Sequence, residues 1–261
     1  MTSHPLARRL AAEFLGTGLL VTVVVGSGIM GTELTDNLAL VLLINAVATV
    51  AGLGVLIWTL GPISGAHFNP AVTAVATAER EMPVREGGSY ILAQVAGALA
   101  GVALADLMFG LPAWQPSTHV RTGWGVWLGE VVATAGLLWI IGALTRTGNG
   151  RLGPVLVAAW IGSAYFFTSS TSFANPAVTI GRSLTDTFAG IAPASVPAFI
   201  GFQLLGAAIG AGLTALFHPR RGTIPEPLDL PAAVHDSAAV HDSAAVHDPT
   251  AVHDPQGANH E

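Results

Sequence analysis

The residues best placed to select a small molecule are Asn69 and Asn175, each opening one copy of a pentapeptide: Asn69-Pro70-Ala71-Val72-Thr73 and Asn175-Pro176-Ala177-Val178-Thr179. Their chemistry is hydrogen bonding, not bond making. Asn is a favoured N-cap, and Pro a favoured first helical residue because its missing amide hydrogen would have had no intrahelical partner. If each Asn oxygen caps its own helix, its NH2 group is left to donate to a passing solute. Each helix start also carries roughly half a positive charge, so two starts facing one lumen oppose any cation, hydronium included. Neutral, oxygen-bearing solutes are what such a constriction admits.

Positioning the two Asn residues requires a particular architecture. Apolar helices from Asn69 to about Glu79 and from Asn175 to about Asp186 would be roughly 16 to 18 Å long, about half of a hydrocarbon core of roughly 30 Å. Two half-length helices at corresponding places in an apolar chain mark a site at the bilayer midplane. The composition agrees: 51% of the 261 residues are hydrophobic and 10% charged, against about a quarter charged in a soluble domain. Cysteine is absent, which excludes disulfides and thiolate metal sites. Lysine is absent too. Up to Arg221 the chain has ten Arg against nine acids, and seven further acids in the tail produce the net charge of −6.

Apolar spans are expected at about Arg9–Met30, Asn37–Leu60, Glu86–Phe109, Trp124–Thr145, Leu152–Thr168 and Ala194–Phe217. The first is long for a signal peptide and contains Glu13, so it is read as a retained helix. Six crossings put both termini on one side. Arg8, Arg9, Arg80, Arg85, Arg146, Arg151, Arg220 and Arg221 fall on that side, against Arg121 and Arg182 on the other, which makes the termini cytoplasmic. Trp124 and Trp127 fit an interfacial aromatic belt at the opposite end.

The halves match beyond the pentapeptides. Ala12-Glu13-Phe14-Leu15-Gly16-Thr17 pairs with Gly129-Glu130-Val131-Val132-Ala133-Thr134, and Gln94-Val95-Ala96-Gly97-Ala98 with Gln203-Leu204-Leu205-Gly206-Ala207. Each half therefore reads as Glu helix, half-helix, Gln helix. Three crossings per half is an odd number, so the copies insert with opposite orientation. The expected fold is an all-α membrane protein with six transmembrane helices plus two re-entrant half-helices in an inverted repeat, covering about residues 8–115 and 120–218 within a domain of 1–221.

These residues resemble the aquaporins and aquaglyceroporins, the major intrinsic proteins. The resemblance covers about residues 8–218 and rests on AEFLGT, SGAHFNPAVT, the second Asn-Pro-Ala, and the Glu and Gln repeats. It implies a channel assembled as a homotetramer in the cell membrane, a pore in each subunit passing small neutral solutes and water, no cofactor, no metal and no nucleic-acid partner. It also implies that Asn69, Pro70, Ala71, Asn175, Pro176 and Ala177 line the pore, while Glu13 and Glu130 brace the re-entrant loops.

One departure bears on selectivity. In the family's usual second motif an Arg directly follows the Ala; here that residue is Val178. The other filter positions fall by counting on Thr49, Ser163 and Ser172, all small and uncharged. A wide filter without the Arg resembles bacterial channels for glycerol, urea or uncharged metalloid acids such as arsenite and methylated arsenicals, and the string Phe166 to Ala174 is closest to the metalloid group. A mainly water or glycerol/urea channel is the alternative. Arg182 stands one turn, roughly 6 Å, outward from Val178 on the same face; it either reaches the pore mouth, or snorkels to headgroups or braces a loop.

His67 is expected in the inner vestibule or bonded to loop carbonyls. Glu13 and Glu130 inside helices could couple protons and make a secondary transporter, but one per half at matched places favours bracing. No nucleophile arrangement, metal cluster or phosphate loop points to an enzyme. From residue 222 the chain shifts to Pro, Ala, Ser, His and Asp, with His235, His241, His247 and His253 spaced by six. A disordered, solvated cytoplasmic tail is expected there, weak metal binding by its His residues being the alternative.

Overall fold

A computed structural model describes residues 4–220. Eight α-helices form one compact unit: α1 (Leu6–Leu34), α2 (Leu38–Ser64), α3 (Pro70–Ala78), α4 (Val84–Met108), α5 (Trp124–Arg146), α6 (Gly153–Phe167), α7 (Pro176–Arg182) and α8 (Val196–Phe217). Five of them, α1, α2, α4, α5 and α8, carry apolar stretches long enough to cross a bilayer. The fifth expected crossing, α6, is shorter at 15 residues and is led in by a 3₁₀ turn at Gly150–Leu152. The tail repeat lies outside the described residues.

Helix boundaries follow local chemistry. The Asn37 side chain accepts from Ala39 N and Leu40 N, opening α2, and Gly65 closes it at φ 92°, a left-handed conformation that costs glycine nothing. α3 and α7 are capped as expected: Asn69 accepts from Ala71 N, and Asn175 from Ala177 N and Val178 N. α7 ends at Arg182, four residues before the expected stop. The reason is long-range: the Arg182 carbonyl accepts from Ile191 N, so the chain folds back instead of continuing its spiral.

The repeat is visible in the packing. α1 crosses α4 where Gly97 and Gly101 rest on the carbonyls of Phe14 and Gly18; α5 crosses α8 where Gly206 and Gly210 rest on those of Val131 and Ala135. Small residues at a crossing let backbones approach, which supplies the van der Waals contact that holds helices together in lipid. A Cβ at Gly97 would fall onto the Phe14 carbonyl, whereas one at Gly212 would meet nothing within 4 Å. Gly97→Ala is therefore expected to destabilise the protein by about 1 to 3 kcal/mol through overpacking. Thermal melts in detergent, with Gly212→Ala as the silent comparison, check this.

Candidate conduction pathway

The segments before the two Asn residues are unusual backbone. Ala66 and Phe68 have φ of 50° and 48°, and Ser172 and Ala174 have 53° and 47°, so the same two places before each Asn are left-handed. Non-glycine residues held there cost about 1 to 3 kcal/mol each unless their surroundings compensate. The surroundings are Glu13 and Glu130. Glu13 accepts from His67 N (3.0 Å), Phe68 N (2.7 Å), Ser64 Oγ (2.6 Å) and Gln94 Nε2 (2.8 Å). Glu130 accepts from Phe173 N and Ala174 N, both at 2.9 Å, and from Gln203 Nε2 at 2.6 Å. Both carboxylates are fully buried, and neither lines the central cavity. The geometry is that of a brace, and it leaves no surface on which a transported proton could land from the lumen.

Sequence reasoning missed the partners that complete each brace. Ser64 Oγ accepts from Ala66 N as Ser170 Oγ accepts from Ser172 N. Thr73 Oγ1 accepts from Gln94 Nε2 as Thr179 Oγ1 accepts from Gln203 Nε2, both at 2.9 Å. Each pair stands at matched distances from its Asn, so aligning the two halves outward from the pentapeptides could have found them. The halves then diverge. Thr179 donates to the Asn175 carbonyl at 2.8 Å, whereas the Thr73 hydroxyl lies 3.1 Å from His67 Nδ1. The Thr73 oxygen also accepts from Gln94, so this hydroxyl joins the His67 ring to the first brace.

At the centre the two Asn amides cross. Asn69 Nδ2 donates to the Ala174 carbonyl at 2.7 Å, and Asn175 Nδ2 to the Phe68 carbonyl at 2.8 Å. Each oxygen caps its own helix while one hydrogen of each NH2 ties the opposite loop; the second has no partner among the described residues, and both Asn residues line one cavity. This cavity, of about 300 Å³, begins at Glu79, Glu81 and Arg146, where Arg220 also lies, and passes His67 and the Asn pair. On the other side of the Asn pair it is lined by Arg182, at the end of α7, and by Thr49 and Tyr165, which together form its far end.

The expected filter residues are placed unevenly. Thr49, Ser172 and Val178 line the cavity and are buried. Ser163 does not: it lies exposed on the outer face of α6, and Tyr165, two residues on, faces inward instead, its hydroxyl 3.2 Å from Thr49 Oγ1. Of the two readings left open for Arg182, the placement of its side chain bears on both. Arg182 is buried and lines the cavity, its Nε donating to the Ala189 carbonyl at 2.5 Å and its guanidinium carbon 3.4 Å from the centre of the Phe173 ring. The side chain is not directed to lipid headgroups; it braces the loop at Ala189 and at the same time lines the cavity.

Residues 1–174 match the family model described as "Major intrinsic protein". The chain belongs to the major intrinsic protein family. Among curated relatives, it is 51% identical over 225 residues, 86% of this chain and 96% of the other, to the aquaglyceroporin AqpS of Rhizobium meliloti. It is 33% identical over 208 residues to the propanediol uptake facilitator PduF of Citrobacter freundii, 69% and 77% of the two chains. The X-ray structure of the aquaglyceroporin from Plasmodium falciparum superposes with a TM-score of 0.59 at 18% identity, covering 83% of this chain and 96% of that one, which shows the shared fold. As a major intrinsic protein the chain is a passive membrane channel and not an enzyme.

Proposed function

We propose that this major intrinsic protein is a wide-filter channel for small uncharged solutes, conducting arsenite or methylated arsenicals as well as glycerol and water. The observation that carries this reading is Val178. At the residue directly after the second Asn-Pro-Ala it puts a short apolar side chain on the cavity wall, beside Thr49 and Ser172. Absence of Cys supports the metalloid arm, because trivalent arsenic is thiophilic and meets no thiol in this chain. A glycerol- or urea-sized pore is the second reading, favoured by Tyr165 and Arg182, which fill part of the far end. Arg9 pairs with Glu86, and Arg146 and Arg220 pair with Glu79; Arg residues near the start of α1 and the end of α8 support a cytoplasmic location for both termini. Homotetramer assembly remains part of the proposal, supported by family membership.

The test is stopped-flow light scattering of proteoliposomes shrunk by glycerol, urea or arsenous acid in turn. Re-swelling after shrinkage is expected for glycerol and arsenous acid, because each enters down its own gradient. Full reflection of every solute, with only water moving, would replace this reading with that of a water channel.

A further inference from the structure

Four ionised side chains line the cavity: Glu79, Glu81, Arg146 and Arg182. Three belong to one cluster at the near mouth, where Arg146 pairs with Glu79 at 3.0 Å and Arg220 bridges Glu79 and Glu81. Arg182 has no carboxylate partner among the described residues. Its Nε is held by Ala189 and its guanidinium carbon lies 3.4 Å from the centre of the Phe173 ring, while neither terminal amino group has a hydrogen-bond partner among the described residues and the side chain lines the cavity. Ser172, adjacent to that ring, is 3% exposed, lines the same cavity, and its Oγ is buried without any partner. The Tyr165 and Thr49 hydroxyls share one hydrogen bond between them, so one hydroxyl hydrogen of the pair is spare.

The local charge balance is positive. A second guanidinium, that of Arg121, lies 5.3 Å from the centre of the same Phe173 ring. Glu130, the carboxylate bonded to the loop at Phe173 and Ala174, is already occupied by those two amides and Gln203. A guanidinium fixed at Nε presents two parallel N–H donors, the geometry that matches adjacent oxygens of a carboxylate, phosphonate or similar head.

We propose that Arg182, Ser172 and Tyr165 form a binding station for small, singly charged oxyanions at the far end of the passage, with the Arg182 fork on two of the oxygens and the Ser172 hydroxyl on a third. The inference rests on the channel reading and extends it from uncharged solutes to a charged class. Val178 contributes by omission: its short side chain leaves the space into which the oxyanion fits.

The experiment uses methylphosphonate, an oxyanion that crosses lipid poorly, with full-length protein in proteoliposomes. Uptake of labelled methylphosphonate is measured together with glycerol flux. Wild-type vesicles are expected to take it up saturably, and methylphosphonate is expected to slow glycerol flux. Arg182→Gln should lower the ratio of methylphosphonate to glycerol flux by about tenfold or more, and Arg182→Lys by less, since the charge stays and the fork is lost. The slowing of glycerol flux needs no variant and so stands if Arg182→Gln does not fold. Glycerol flux with neither uptake nor slowing by methylphosphonate overturns the station alone; so does an unchanged ratio in Arg182→Gln. Loss of glycerol and water flux in the wild type overturns the channel reading and the station with it.

Discussion

Glu130→Ala is expected to remove conduction, and most of the folded protein with it. The substitution leaves Phe173 N, Ala174 N and Gln203 Nε2 without their acceptor in a fully buried site. Each stranded donor costs about 1 to 3 kcal/mol, so the total is on the order of 3 to 9 kcal/mol. That is comparable with the whole stability of a typical domain, about 5 to 15 kcal/mol. The left-handed residues Ser172 and Ala174 also lose the group that holds them in place. Glu130→Gln keeps the volume but turns an NH2 group toward two amide donors, so it should fall between Ala and wild type. Size-exclusion profiles, thermal melts and water flux per folded channel check the series. Wild-type flux from Glu130→Ala would show that the second loop keeps its shape unaided.

The second large effect is expected from Val178→Arg. Val178 is buried on the cavity wall, one turn before Arg182. A guanidinium there would enter the lumen facing another roughly 6 Å away, with a repulsion of about 3 kcal/mol at an effective dielectric near 20. The bore narrows and its positive field deepens. Glycerol flux should fall by about tenfold or more while water flux is retained, because water needs only a single-file gap. Val178→Ala, which widens the same place, should leave glycerol flux at or above wild type. If the Arg variant leaves both fluxes unchanged, Val178 does not belong to the filter.

The framework could be read in the sequence because it is written in local chemistry and in repetition. Asn69 and Asn175 cap their helices for the same reason any Asn does, and the Glu and Gln copies marked the braces before any distance was known. The filter was harder to read. The two polar side chains of α6, Ser163 and Tyr165, fall on opposite faces, so no polar stripe fixes its rotation, and a count along it landed on Ser163 when Tyr165 faces inward. The stop of α7 depends on an amide nine residues downstream, and the course of the Arg182 side chain on Phe173 and Ala189. Helical pitch placed Arg182 on the correct face, but only the folded loops decide where its guanidinium goes.

The crossed Asn amides bear on how the protein is made. The carbonyl that Asn69 needs belongs to a residue 105 positions later. At about 5 to 20 residues per second on the ribosome, the early half-helix waits roughly 5 to 20 s for its counterpart. During that interval its amide group has only water or the insertion machinery to bond with. Biogenesis therefore has a vulnerable window, and a ribosome stalled between the halves would leave an unseated segment exposed to membrane proteases.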